Sequence, residues 1–526
     1  MKRILAILLC LLLLCGCSNN IDLIGEVSPD ENLTPVKGGE VRLFCDVPDT
    51  LNPIVTGYKS ISEIMYLVYD GLFRTENDFS ATPVLSSGYS AGEGNTQYVV
   101  RLKKGIKFHD GTTFGAEDVV ATVENIRKYS SKYSMNLSNV VSCEAQSDGS
   151  VVFNLATPQS NFINLLDFPI MPSESGADAY AVENKYFTPI GTGKFKIETM
   201  VSDKLTLSKN EDYYGDKPYV ESVSVTYIKD TTIAKYSFEA MEFDVITTDL
   251  YSWGNTSMSG DFTTEEFESN RLTYLGFDCA NTVLSDALVR KSIATAIDKS
   301  AIVTDVMFTH AASASSPINP NAYFADNDYV HAVYERGKAE EMLKASGWLD
   351  LDGDGVLDKY FNEQQLSLSF NLIVNSENND TMRLASYLSE HMGNEGIRLN
   401  IVALPYLQYV AAIGNGEFDM FIGRTDFSND CDISFMLSSS GDKNFFRYGS
   451  SAMEGALNNI HVAEGNHGVK KAYKSFDTVF KDECPFVPLY FETDAVFTSV
   501  RVKGDMNISR TGVYTGMSNV FVKYKD

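Results

Sequence analysis

The stretch KFHDGTTFGAEDVVATVENI, residues 107–126, contains the signals for a tight turn, a short strand and the start of a helix. Asp110-Gly111 lies between the strand-like runs IKFH and TTF, and this dipeptide predicts a two-residue hairpin turn. His109 invites a catalytic interpretation, but no nucleophile or carboxylate partner can be assigned to it from the sequence. We therefore favour a structural histidine beside the turn over a catalytic one.

The second half of this stretch predicts a helix. Gly115 stands where the N-cap belongs, and Asp118 follows three residues later. The apolar residues recur at helical spacing and form one face: Val119, Val120, Val123 and Ile126. Neither half of the stretch carries a catalytic arrangement, so its specific pattern needs another explanation.

The N-terminus carries the pattern of an export signal. Lys2 and Arg3 precede an apolar run of 11 residues, 4–14, which is too short to span a bilayer. Leu-Cys-Gly-Cys follows and resembles a lipobox, which predicts a signal peptide over 1–16 and lipidation of Cys17. The alternative is ordinary secretion with cleavage at a small residue.

Residues 17–39 are mostly polar and predict a flexible, lipidated tether. No later apolar run is long enough to cross a membrane. Removal of Lys2 and Arg3 with the signal peptide changes the net charge from −27 to −29. This balance argues against nucleic acid and anionic lipid headgroups as partners. The remaining body, about 490 residues, has room for two to four domains.

Cysteine and histidine give no support for a metal site or for catalysis. The cysteines beyond the N-terminal segment are odd in number and far apart: Cys45, Cys143, Cys279, Cys431 and Cys484. They form no CxxC pair, which argues against a disulfide framework and a zinc site, although one disulfide pair stays open. The six histidines show no HxH, HExxH or HxxxH spacing, and there is no GxSxG elbow. The sequence predicts no metal, no cofactor and no enzyme activity.

Strand and helix patterns alternate along the body, which is typical of an α/β protein. GEVRLFCDV (40–48) and TQYVVRLK (96–103) alternate as strands do. Residues 285–303 predict two helical segments separated near Asp298, which can cap the second. Residues 336–348 predict an amphipathic helix that ends at Gly347 and is covered by Trp348.

Two loops carry patterns that resemble ligand sites. Gly191-Thr192-Gly193 lacks the Lys-Ser/Thr of a phosphate loop and precedes a strand, so it predicts a turn whose strand pairs with residues 203–214. DLDGDGVLD (350–358) places Asp at positions 1, 3, 5 and 9 of a calcium loop. Phe361 replaces the Glu that position 12 requires, so we favour an acidic surface turn over a calcium site.

Several short motifs follow one another in the order of a known family. They are residues 107–126, VYDGLFRTE (68–76), TPIGTGKFKI (188–197), YLGFDCANTVLSDALVRKSIATAIDKSAIV (274–303), SPINP (316–320), AEEMLKASGW (339–348), GEFDMFIG (416–423) and CPFVPLYF (484–491). Together they resemble the family 5 extracellular solute-binding proteins, the peptide- and nickel-binding lipoproteins of ABC importers. The resemblance implies an α/β, bilobal, periplasmic-binding-protein-like fold of type II with an extra third domain.

The resemblance also implies domain ranges. The first lobe is expected over 40–60, 188–270 and 492–526, and the second lobe over 275–490. The extra domain is expected over 61–187. In this arrangement the opening stretch is part of a rigid frame around a hinge.

Ligand-binding residues are implied by the same resemblance. Peptide binders of the family hold the ligand's α-ammonium with an Asp that follows the strand of GEFDMFIG. Asp426 matches this acid, and Asp430 falls near a second acid of the motif, although the Pro of that motif is missing. The alternative for Asp426 is a loop cap. Arg424 can meet a ligand carboxylate or be a surface residue, and Trp253 can stack on a ligand or belong to a core.

Three functions follow from these patterns. The first is a monomeric, lipid-anchored receptor on the extracytoplasmic face of the cell membrane. It would pass di- or oligopeptides to the permease and ATPase subunits of an ABC importer. The second is the same role for an oligosaccharide, an opine-like amino acid derivative or a metal chelate. The third is a surface enzyme or signalling receptor, for which the sequence offers no nucleophile or metal.

Overall fold

The computed structural model describes residues 34–175, 180, 187–230, 233–249, 259–330 and 332–523. The described residues from Lys37 onward form one compact unit. The strands are β1 Glu40–Asp46, β2 Phe73–Thr75, β3 Ala81–Pro83, β4 Ser86–Ala91, β5 Gln97–Leu102, β6 Val140–Ala145, β7 Val151–Leu155, β8 Phe195–Met200, β9 Lys204–Lys209, β10 Ser222–Ile228, β11 Val245–Asp249, β12 Phe262–Phe277, β13 Ala311–Ser313, β14 Asp358–Phe361, β15 Gln364–Ser367, β16 Ser369–Asn375, β17 Arg398–Leu404, β18 Met420–Asp426, β19 Phe486–Ser499, β20 Val502–Lys503 and β21 Phe521–Val522.

Helices alternate with these strands. They are α1 Lys59–Met65, α2 Ala116–Lys128, α3 Ala234–Glu239, α4 Ala287–Thr295, α5 Lys299–Ala301, α6 Lys338–Ala345, α7 Asn379–Gly393, α8 Tyr406–Asn415, α9 Ser434–Leu437, α10 Ser451–His461 and α11 Gly465–Glu483. Within the described part of the chain, no helix is both long and apolar enough to cross a bilayer.

Three sheets organise the body. One has the order β1-β10-β9-β8, in which β1 runs parallel to β10 and the other pairs are antiparallel. A second, antiparallel sheet has the order β4-β5-β7-β6. The third has seven strands in the order β11-β19-β12-β18-β16-β17, with β13 on β19. The first sheet lies in the predicted first-lobe ranges and the second in the predicted extra domain, whereas the third combines strands from both predicted lobes. The domain boundaries themselves stay predictions.

The opening stretch forms a hairpin and a helix, as predicted, but its turn differs in length. Lys107 pairs with Thr113, and the Phe108 N–H donates to the Thr112 carbonyl at 2.9 Å, so three residues form the loop. The two-residue prediction was wrong because His109 joins Asp110 and Gly111 in the turn. Gly111 supplies the positive φ of +90° that the third loop position requires.

The helix of this stretch, α2, begins at the predicted cap. The Gly115 N–H donates to Asp118 Oδ2 at 2.8 Å, and Asp118 Oδ1 accepts from the Ser173 N–H at 2.8 Å. Val119, Val123 and Ile126 are fully buried. The carboxylate of Asp118 therefore satisfies one free donor of the helix start and one from a neighbouring segment.

His109 joins this hairpin to the Gly191-Thr192-Gly193 turn. Its Nδ1 accepts from the Gly191 N–H at 3.3 Å, and its Nε2 lies 2.9 Å from the Gly193 carbonyl. Only the neutral ring with a proton on Nε2 makes both bonds. The turn itself packs against backbone, because a Cβ on Gly191 would lie 2.0 Å from the Val68 carbonyl oxygen. His109 is thus structural, as predicted.

Other local predictions are also confirmed. Asp298 caps α5 by accepting from the Ala301 N–H at 3.0 Å. The chain leaves α6 through Gly347 at φ +90°, and Trp348, 4% exposed, packs in the core beside that helix. Three of the four Asp in 350–358 are exposed and lie together, whereas Asp358 is buried in β14.

The seven-stranded sheet has a separate core on each face. Side chains alternate along a strand, so Met420 and Ile422 of β18 enter one core and Phe421 enters the other. Helices α4, α6 and α7 cover the first face. Strands β12 and β19 are much longer than their neighbours and continue beyond this covered region.

Candidate functional site

Strand β18 changes from apolar to charged at its carboxyl end. Met420 and Ile422 are 0% and 4% exposed, whereas the side chains of Arg424 and Asp426, on the same face, are 46% and 73% exposed. The apolar core on the first half of this face does not include Arg424 and Asp426. The strand therefore ends in two opposite charges that face solvent.

Strands β12 and β19 change in the same way beside β18. On β12, buried Leu275 is followed towards the N-terminus by Thr273 and Arg271. Glu492 and Asp494 of β19 complete the group through their contacts with Arg271. The register between β12 and β19 shifts between Glu268 and Leu272, at this place. We call the six residues Arg271, Thr273, Arg424, Asp426, Glu492 and Asp494 the polar end of the sheet.

Arg271 is the central cation of the polar end. Its Nε lies 3.0 Å from Asp426 Oδ1, and its Nη1 lies 2.9 Å from Glu492 Oε2 and 3.8 Å from Asp494 Oδ1. Burial acts to lower the pKa of Arg271, but Glu492, Asp426 and Asp494 outweigh it and raise that pKa. The guanidinium is therefore always charged and holds residues of two strands.

Glu492 joins both arginines. Its Oε2 accepts from Arg424 Nη2 at 2.6 Å as well as from Arg271, and its side chain is 11% exposed. Burial raises the pKa of Glu492, while the two guanidinium groups oppose that rise. The result is a continuous line of alternating charge: Asp426, Arg271, Glu492, Arg424.

A cavity of about 170 Å³ opens beside Arg424. Its lining includes Thr273, Tyr490 and the start of α7. Asn378 caps that helix by accepting from the N–H groups of Asp380 and Thr381 at 3.0 and 3.1 Å. The carboxylates of Asp380 and Glu492 also line this cavity, so Arg424 is the group there that can pair with an anion.

Helix α1 brings further charges towards the polar end. Glu63 interacts electrostatically with Lys59, Lys132 and Asp494, and burial raises its pKa. Burial lowers the pKa of Lys132 to about 8, against the attraction of Asp167 and Glu63.

The loop after β18 is anchored away from solvent. Asp430, 5% exposed, accepts from Gln159 Nε2 at 2.6 Å. Asn161 Nδ2 donates to the Asp430 carbonyl, and Asn429 Nδ2 donates to Asp167 Oδ2 at 2.7 Å. The burial of Asp430 raises its pKa, with repulsion from the neighbouring Asp432 as a second cause. Asp430 therefore fixes a loop, whereas Asp426 faces solvent.

The structure brings two of the sequence-predicted residues together. Arg424 and Asp426 both lie in the polar end of the sheet, while Trp253 and Cys17 lie outside the described residues. Sequence reasoning missed Arg271, Glu492 and Lys132. For Arg271 and Glu492 the only signal was a charge within a strand-like run, which is also common on solvated strand faces. Lys132 follows a helix and carried no such signal.

Comparisons with known proteins agree with this architecture. The sequence model described as bacterial extracellular solute-binding proteins, family 5 Middle, matches residues 81–446. The oligopeptide-binding protein AppA of Bacillus subtilis is 24% identical over 89% of each chain. The nickel-binding periplasmic protein of Escherichia coli is 23% identical over 68% of this chain and 70% of its own length. The structure of HbpA2 from Haemophilus parasuis superposes with a TM-score of 0.78 at 20% identity, over 92% of this chain and all of that one.

Proposed function

Because the chain belongs to the bacterial extracellular solute-binding proteins of family 5, we propose that it captures di- or oligopeptides between its lobes for an ABC importer. The observation that carries this proposal is the Asp426 carboxylate. It is 73% exposed, and Arg271 contacts one of its oxygens. Among the described residues no donor contacts its second oxygen, so that oxygen can accept from a ligand.

A peptide's α-ammonium suits this carboxylate. Charge-assisted hydrogen bonds are roughly twice as strong as neutral ones, and they gain strength when water is excluded. Closure of two lobes around a ligand excludes water in this way. In the closed cleft the Asp426 carboxylate then requires an ammonium partner. The site should therefore prefer ligands with a free amino group.

Arg424 supports a carboxylate partner near the same ammonium site. Arg424 and Asp426 lie two positions apart on one face of β18, which separates them by about 7 Å along the strand. A short zwitterion can span that distance. Longer peptides would use Asp426 for the amino end and pair their backbone as an added strand.

A second candidate is the same role with a non-peptide cargo. Oligosaccharides, opine-like amino acid derivatives and metal chelates belong here, and a relative named for nickel binding supports the last class. Arg424 is the observation that favours a carboxylate-rich chelate or derivative, since its guanidinium is half-exposed.

Anchoring to the membrane is part of the proposal. Cys17 would carry the lipid and hold the protein on the extracytoplasmic face, as a monomer beside the permease and ATPase subunits. Labelling of cells with a radioactive fatty acid should mark the wild-type protein and not Cys17→Ser. Equal labelling of both proteins would contradict this anchor.

The test of the cargo uses residues 38–526, which lie in the compact unit of the fold. A thermal-shift screen with peptide pools, oligosaccharides, derivatives and nickel chelates identifies a ligand, and calorimetry measures its affinity. A ligand at 100 times its Kd should stabilise the protein by about 2.7 kcal/mol.

The variants decide the role of Asp426. Asp426→Asn should weaken peptide binding 10- to 100-fold, and N-acetylation of the peptide should weaken binding to the wild type by a similar factor. The matched control is Asp442→Asn, which changes an exposed residue further along the chain after β18. This variant should bind peptide as the wild type does. Equal peptide affinity in Asp426→Asn and the wild type would refute the site.

A further inference from the structure

We infer that Arg271 is a positioning residue that holds Asp426 in the orientation needed to receive the cargo's cationic group; this inference rests on the proposed function. Arg271 contacts Oδ1 of Asp426 through Nε at 3.0 Å, while Oδ2 remains open. The guanidinium thus fixes the carboxylate without occupying both of its oxygens.

Asp426 needs such a partner because it is otherwise free to move. It is the last residue of β18, and its side chain is 73% exposed. An exposed side chain loses conformational freedom when a ligand orders it, and that loss weakens binding. A carboxylate that is already oriented in the empty protein avoids this loss.

Arg271 is itself fixed by the opposite strand. Glu492 and Asp494 of β19 hold its Nη1, and its side chain is only 20% exposed. Arg271 is paired with Asp426 in the register of β12 and β18, so the two side chains leave adjacent backbone positions. The position of the carboxylate is therefore linked to β19 through one side chain.

The backbone around Arg271 is held by side chains at the register shift. Ser269 Oγ donates to the Glu492 carbonyl at 2.8 Å and accepts from the Arg271 N–H at 3.3 Å. Asn270 Nδ2 donates to the carbonyls of Phe427 and Ser428, each at 3.2 Å. These bonds tie the residue before Arg271 to the residues directly after Asp426. Both partners of the Arg271–Asp426 pair are thus fixed from each side.

The opposite role for Arg271 is competition, in which its positive charge occupies the place of the cargo's cation. The two roles predict opposite signs when the charge is removed. Loss of a positioning residue lowers the affinity for the cargo, whereas loss of a competitor raises that affinity.

The experiment compares two ligands in four proteins. The ligands are a peptide found in the screen and its N-acetylated form. The readout is the Kd ratio, which is the Kd of the acetylated form divided by the Kd of the peptide with the free amine. The proteins are the wild type, Arg271→Met, Arg271→Lys and Asp426→Asn. Arg398→Met removes an exposed arginine that pairs with Asp354 on a distant surface, and it serves as the matched control.

Positioning predicts that Arg271→Met lowers the Kd ratio about 10-fold by weakening only the peptide with the free amine. Arg271→Lys should restore part of the ratio, and Arg398→Met should keep the wild-type ratio. A general structural defect would weaken both ligands alike, and unfolding temperatures identify a variant that has not folded. Arg271→Lys keeps the inference testable if Arg271→Met does not fold.

The outcomes separate this inference from the proposed function. If Asp426→Asn abolishes the ratio and Arg271→Met keeps or increases it, the positioning role is overturned and the proposed function stands. If Asp426→Asn keeps the wild-type ratio, the ammonium site and the positioning role are both overturned.

Discussion

Replacement of His109 by alanine tests whether the opening stretch is a scaffold. The ring joins the hairpin to the Gly191-Thr192-Gly193 turn through two hydrogen bonds. In His109→Ala the buried Gly191 N–H loses its acceptor. The Gly193 carbonyl loses one donor but keeps Asn210 Nδ2 at 2.9 Å.

The two bonds differ in what their loss costs. A buried donor left without a partner costs about 1–3 kcal/mol, whereas a carbonyl that keeps one donor loses about 0.5–1.5 kcal/mol. We therefore expect His109→Ala to lower the free energy of unfolding by about 2–4 kcal/mol. His467→Ala replaces an exposed histidine on α11 and should change it by less than about 0.5 kcal/mol.

The assay is urea unfolding of residues 38–526, followed by circular dichroism at several pH values. Burial is the main cause that lowers the pKa of His109 from its ordinary value of 6.5, and Lys196 adds to it. The neutral ring's contribution is therefore complete above pH 6.5 and is lost as the pH falls through the lowered pKa. The difference between wild type and His109→Ala should shrink over that window. A difference below about 0.5 kcal/mol at pH 8 would refute the scaffold role.

Two further predictions concern stability. Gly191→Ala should prevent folding or strongly destabilise the fold, because its Cβ would lie 2.0 Å from the Val68 carbonyl oxygen. Gly414→Ala, in helix α8, should stabilise the fold by up to about 1 kcal/mol, because nothing lies within 4 Å of the added Cβ. Soluble yield and unfolding temperature check both variants. Asp477 accepts a hydrogen bond from Ser316 Oγ, and burial raises the pKa of its carboxyl group to about 7. The wild type therefore loses stability as the pH rises from about 4 through 7. Asp477→Asn should stabilise by on the order of 2–4 kcal/mol at pH 8 and by almost nothing at pH 4, and an equal effect at both values would contradict this pKa.

Local chemistry explains which parts of the fold were predictable. A helix cap such as Asp298 or a turn such as Asp110-Gly111 depends on residues a few positions apart. The sequence therefore indicated these elements, together with the helix that Trp348 covers. The hairpin loop was one residue longer than predicted, because His109 is drawn out of the strand by its bonds to the Gly191 turn.

The candidate site was only partly predictable, because its contacts join residues that are far apart in the sequence. Arg271 meets Asp426 across 155 residues of sequence and Glu492 across 221. The register shift between β12 and β19 decides these contacts, and it leaves no local signature. The resemblance indicated Asp426, and the charge of Arg424 suggested a carboxylate partner. Arg271 and Glu492, which connect them, required the fold.

The anchored loop after β18 has a consequence for protein engineering. Its backbone and side chains at Asn429 and Asp430 bond to Gln159, Asn161 and Asp167, more than 250 positions earlier in the chain. A loop grafted from a relative with another cargo would leave these buried amides and carboxylates without partners. Under the proposed function, an exchange of cargo preference therefore requires that segment 159–167 be transplanted together with the loop, as one unit of design.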